Sequence, residues 1–121
     1  MNVWATWCGP CVVEFPEFVT LNRMYRHRDF EFVTVAAQYP DEQAEVLRFL
    51  RRQQASNRNL LFGENDKYRL IEAFDPEWSG SLPFTLLLAP GGEVLYRREG
   101  PVNALELRRT IVRELNARKP W

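Results

Sequence analysis

Trp4-Ala5-Thr6-Trp7-Cys8-Gly9-Pro10-Cys11 is the stretch on which the reading of this chain turns. It holds both cysteines of the protein, two residues apart. A short β-like run, Asn2 to Thr6, precedes the pair. A helix-like run from Cys11 to about His27 follows it. Cys8 therefore sits just before a helix start, where unpaired backbone N–H groups and the positive end of the helix dipole favour an anion. A thiol attacks a disulfide only as the thiolate, so this position suits an attacking sulfur. Cys11, one turn into the helix, lies close enough to resolve a mixed disulfide formed on Cys8. Gly9 is expected to let the backbone turn tightly. Pro10 at the helix start costs no hydrogen bond.

Two other uses of the pair are weaker. Inert structural thiols do not explain the spacing or the strand–helix context. A tetrahedral zinc site needs four ligands, or three and a water, and the one remaining histidine, His27, is a helix away. No metal and no cofactor is called for. Two cysteines this close are not a disulfide framework either.

Working outward, 121 residues suffice for one domain with its own core. Sixteen basic and sixteen acidic side chains leave no net charge, which argues against nucleic acid or a polybasic membrane contact as partner. The arginine pairs at 51–52, 97–98 and 108–109 read as solvated faces. No apolar run is long enough to span a membrane, and no signal peptide opens the chain.

Beyond the first helix, Glu31 to Ala37 is β-rich with little alternation, as in a strand covered on both faces. Pro16 interrupts the first helical pattern and is expected to kink it. A second helix runs from Pro40 to about Gln54, with Val46, Leu47, Phe49 and Leu50 as its apolar stripe. Leu60-Leu61-Phe62 reads as a short strand. A short helix covers about Asp66 to Phe74. A loop carrying Pro76, Trp78 and Gly80 leads through Pro83 to an apolar strand, Phe84 to Leu88. Ala89-Pro90-Gly91-Gly92 is a turn, and Glu93 to Arg98 is its hairpin partner. Asn103 caps a last helix, with Glu106 completing a capping-box pattern. Lys119-Pro120-Trp121 carries no signal. The alternation followed by a hairpin and a helix predicts an α/β fold, a mixed sheet flanked by helices.

Residues 4–11 resemble the active-site signature of the thioredoxin superfamily. Val12-Val13-Glu14-Phe15-Pro16-Glu17 is similar to its TlpA/ResA-like branch of bacterial thiol–disulfide reductases. Ser81-Leu82-Pro83-Phe84-Thr85, followed by Pro90-Gly91-Gly92-Glu93-Val94, resembles that branch's second signature. The resemblance spans essentially the whole chain. It implies a thioredoxin-like fold and a thiol–disulfide oxidoreductase, with Cys8 as nucleophile, Cys11 as resolving thiol and a Cys8–Cys11 redox disulfide. It also implies a cis-proline at Pro83, with Leu82 and Trp7 meeting the substrate and Gly9 and Pro10 in support. Implied partners are protein disulfides and an upstream thiol donor. The implied location is periplasmic or otherwise extracytoplasmic, with the cytoplasm as alternative.

Three features depart from a plain thioredoxin. Asn2 stands where cytoplasmic thioredoxins carry a buried aspartate that moves protons, and asparagine cannot do so. Glu14 is the candidate for tuning or proton transfer, against the competing reading of a solvent-facing or capping-region carboxylate. Residues 38–82 are longer than the plain fold needs and match the helical insertion of TlpA-like and peroxiredoxin-like proteins. Members of the branch also carry a strand and helix before the tryptophan-cysteine motif, whereas here Met1 lies six residues before Trp7. The expectation is thus one N-terminally incomplete domain over 1–121, lacking the first strand and helix. Strand 31–37 would then be an open edge prone to self-association.

Two functions compete with disulfide reduction. One is a binding module with a redox-inactive site. The other is a peroxidase, disfavoured because Asn2 to Trp7 lack the Pro-x-x-x-(Thr/Ser)-x-x-Cys context.

Overall fold

The structure is a computed structural model that describes residues 1–63 and 66–118. The Lys119–Trp121 tail lies outside the described residues. The elements in order are β1 (Asn2–Trp4), α1 (Gly9–Tyr25), β2 (Val33–Ala36), α2 (Gln43–Gln53), β3 (Arg58–Leu61), α3 (Lys67–Phe74), β4 (Phe84–Leu88), β5 (Val94–Glu99) and α4 (Ala104–Ala117). A 3-10 turn at Pro40–Glu42 leads into α2.

The five strands form one mixed sheet in the order β3-β2-β1-β4-β5. β2 runs parallel to both β1 and β3, and β4 runs antiparallel to β1 and β5. This is the α/β, thioredoxin-like arrangement that the sequence resemblance implies. It corrects one expectation. The 31–37 segment is not an open edge, because β3 occupies the position beside β2. Residues Arg58–Leu61 supply the strand whose absence suggested a self-association surface. The edges are β3 and β5.

Alternation along the strands sorts the core into two faces. Trp4, Ala36 and Leu87 point to the face covered by α1, α2 and α4. Val3, Phe84 and Leu86 point to the other, where α3 and the loop bearing Trp78 pack. α1 lies between two clusters, so it is buried on two sides. Phe15 and Val19 meet Trp4, Phe49 and Leu50, while Phe18, Leu21 and Tyr25 meet Phe32, Leu107 and Ile111. α1 continues through Pro16, which sits on its exposed side.

α4 starts as the sequence indicates, with the Asn103 side chain accepting from the Glu106 N–H at 3.0 Å. Its last turn is followed by Arg118, whose guanidinium pairs with Glu114 one turn back at 3.7 Å. None of the described helices is long and apolar enough to cross a membrane.

Candidate active site

The site is built at the carboxyl end of β1. Trp4 ends the strand, and the chain bends through Ala5-Thr6-Trp7 into the amino terminus of α1. The Cys8 N–H donates to the Ala5 carbonyl at 3.1 Å, closing the bend. Cys8 is the N-cap of α1, in extended backbone conformation, and its sulfur accepts from the Cys11 N–H at 3.3 Å. That contact places a helix-terminal donor on the sulfur, where negative charge is favoured. Pro10 stands in the first turn, where its missing N–H has no helical partner to lose.

Cys8 and Cys11 are joined in a disulfide, with Cα atoms 5.3 Å apart. The two sulfurs are not equivalent. Cys8 is 6 % exposed and Cys11 1 %, so Cys8 is the more accessible of the two. Gly9 needs correction. Its φ lies outside the left-handed region, and a Cβ built on it meets nothing within 4 Å. The tight turn therefore does not depend on glycine.

Pro83 forms a cis peptide with Leu82 and is fully buried. The register of β1 on β4, Val3 opposite Phe84, brings the end of β1 and the start of β4 to the same end of the sheet. Leu82 consequently packs against the cluster containing both cysteines and against the cluster containing Trp78. Trp7 is 65 % exposed, which excludes core packing as its role. Trp7 and Leu82 both line a recess of about 510 Å³ that also touches Tyr39, Tyr68 and Trp78. The cysteines, Trp7, Leu82 and Pro83 thus come together at one end of the sheet.

The approach to Cys8 is braced by a pair that sequence reading missed. Thr6 N–H donates to Gln38 Oε1 at 2.9 Å, and Gln38 Nε2 donates to Thr6 Oγ1 at 2.8 Å. Gln38 lies two residues past the end of β2. Its one legible signal is a polar residue closing an apolar strand, which does not reveal a partner 32 residues back.

Glu14 does not face solvent. It is 8 % exposed, on the helix face it shares with Cys11 at three-residue spacing. Its Oε2 accepts from the Val102 N–H at 3.0 Å, which ties α1 to the loop before α4. Its Oε1 has no hydrogen-bond partner among the described residues. Burial pushes the Glu14 carboxyl up, and the hydrogen bond from Val102 and the nearby Asn2 amide only partly offset that. Asn2, 1 % exposed, donates to Thr85 Oγ1 at 3.1 Å and has no proton to give at neutral pH.

The raised Glu14 value has a definite consequence for stability. The folded state holds this proton more tightly than the unfolded chain. The resulting stabilisation is complete below the ordinary glutamate pKa of about 4.3 and is lost as pH rises through the raised folded value. Glu14→Gln keeps an acceptor for Val102 and removes the titration. Urea unfolding across mildly acid to neutral pH should show wild type losing stability relative to this variant as pH rises. A difference constant with pH would refute it.

A disulfide at a helix amino terminus, beside a loop carrying a cis-proline on an α/β sheet, defines a dithiol–disulfide protein of thioredoxin-like fold. Sequence comparison gives its family. The chain belongs to the Redoxin family, whose profile matches residues 1–108. It is 28 % identical over 113 residues to the thiol:disulfide interchange protein CycY of Rhizobium leguminosarum bv. viciae, covering 93 % of this chain and 55 % of that protein. The chain thus spans about half the length of this curated relative. Among solved structures it is similar to a thioredoxin-family thiol:disulfide interchange protein from Chlorobium tepidum TLS. The TM-score is 0.77 at 25 % identity, covering 94 % of this chain and 77 % of that one. It is also similar to a thioredoxin-related protein from Neisseria meningitidis serogroup B. There the TM-score is 0.76 at 25 % identity, covering 97 % of this chain and 83 % of that one.

Proposed function

We propose that this chain reduces disulfides of protein partners through the Cys8–Cys11 dithiol. The observation that carries the reading is the disulfide itself, with Cys8 as the helix N-cap and more exposed than Cys11. In the reduced chain the Cys8 thiolate attacks one sulfur of the partner disulfide. That S–S bond breaks, a partner thiolate leaves, and a mixed disulfide forms. Cys11 then attacks Cys8 Sγ as its own proton is released. The Cys8–Cys11 bond forms and the second partner sulfur leaves. Two electrons have passed to the partner, and a dithiol donor upstream returns them to the pair.

Trp7, Leu82 and Pro83 form the docking rim in this reading, supported by their common position beside the disulfide. Glu14, buried on the helix face it shares with Cys11, would accept the proton that Cys11 loses when it becomes a nucleophile. The chain acts as one thioredoxin-like domain, with residues 38–82 shaping the rim. An extracytoplasmic setting rests on the family resemblance. A redox titration against glutathione tests the reading. The expected result is a single reversible two-electron couple together with reduction of insulin. Absence of a reversible couple would leave only a binding module.

A further inference from the structure

The loop Asp75–Pro83 forms one wall of the recess beside the disulfide. β5 and Gly100 just after it hold it at three points. Arg97 Nε donates to Asp75 Oδ2 at 2.5 Å. Ser79 N–H donates to Glu99 Oε1 at 2.7 Å. Gly100 N–H donates to the Pro83 carbonyl at 2.8 Å. Arg97 and Glu99 are two residues apart on a strand, so both point to the face that carries Phe84 and Leu86.

The Arg97 guanidinium also lies 5.3 Å from the centre of the Phe84 ring. Phe84 in turn stacks on Trp78 with centroids 4.7 Å apart and planes within 10°. The Trp78 indole N–H donates to the Ser81 carbonyl at 2.8 Å. A continuous chain of contacts therefore runs from Asp75 through Arg97, Phe84 and Trp78 to Ser81, the residue before Leu82. Gly80, at φ +89°, lies against Ile71, where a Cβ would stand 3.2 Å from Ile71 Cδ1. The loop thus has little freedom on its α3 side as well.

We propose that the Asp75–Arg97 pair is a positioning device that sets the Ser81–Pro83 wall for a polypeptide partner. The pair touches neither sulfur, so it acts on docking and not on the exchange chemistry. This inference rests on the disulfide-reductase reading above. It separates two substrate classes. A polypeptide disulfide needs the wall, whereas a small disulfide reaching Cys8 does not.

The test is steady-state kinetics of wild type, Asp75→Asn, Arg97→Gln and the double variant, with insulin and with oxidised glutathione. Asp75→Asn keeps side-chain size, Arg97→Gln shortens the side chain and removes the guanidinium over Phe84, and both remove the ion pair. The expected result is an insulin KM raised by about two- to fivefold, the scale of a lost partly exposed ion pair. kcat and the rate with glutathione disulfide should stay unchanged. The double variant should be no worse than the weaker single, because the two side chains act as a unit. An unchanged insulin KM in an active wild-type background overturns this proposal alone, as does an equal loss with both substrates. A wild-type chain that reduces no insulin overturns the functional reading, and this proposal with it.

Discussion

Cys8→Ser is expected to abolish dithiothreitol-dependent reduction of insulin, and Cys11→Ser to accumulate mixed disulfides with its substrates. The asymmetry follows from position. Cys8 caps the helix, receives the Cys11 N–H, and is the more exposed of the two sulfurs. Serine there offers a hydroxyl that is not ionised at neutral pH and cannot form a disulfide. No mixed intermediate can begin. Cys11 is buried at 1 % exposure, so in the proposed exchange it would meet the partner only through Cys8. Its loss leaves the first attack intact and removes the group that releases the partner. Non-reducing electrophoresis after incubation with a disulfide-bonded protein separates the variants. Adducts should appear with Cys11→Ser and be absent with Cys8→Ser. Wild-type activity in Cys8→Ser, or adducts on that variant, would overturn the assignment.

Phe15→Ala should produce the largest loss of stability among single core substitutions near the site. Phe15 is fully buried. Its ring packs 4.8 Å from Trp4 and 5.2 Å, edge-on, from Phe49, and Trp4 and Phe49 are themselves 5.0 Å apart. The three rings join β1, α1 and α2 directly beneath the cysteines. Removing one ring forfeits its burial and leaves a cavity that two helices and a strand cannot close. Such substitutions cost about 3–5 kcal/mol, a large share of the usual 5–15 kcal/mol total. Urea unfolding monitored by far-ultraviolet circular dichroism should show the midpoint falling accordingly. A loss below about 1 kcal/mol would mean that the triad is not a principal support of the site.

Much of the fold is legible in local pattern. The α4 cap at Asn103, the turn at Ala89–Gly92 and the strand at Phe84–Leu88 each depend on neighbours within a few residues. Glu14 was ambiguous for a physical reason. α1 is buried on two sides, so its periodicity marks no clean wet face, and the carboxyl's partner, Val102, is 88 residues away. The position of β3 was hidden similarly. Arg58 to Leu61 has an unremarkable composition, and its place beside β2 depends on pairing across an intervening helix. Comparison with the family's N-terminal strand leaves β2 without that neighbour, and β3, from a later segment, pairs with it instead.

The sequence alone determined the cysteine pair and its place at a helix start. Two cysteines separated by two residues at a helix start, with proline in the first turn, carry their geometry within one helical turn. Tertiary structure decided what surrounds them. It buried Glu14, placed Leu82 and Trp7 on one recess, and closed the sheet edge with β3. It also locked the cis-proline wall to β5 through Asp75 and Arg97, 22 residues apart. These are contacts between distant segments, and their existence depends on how the strands are ordered and not on any local propensity.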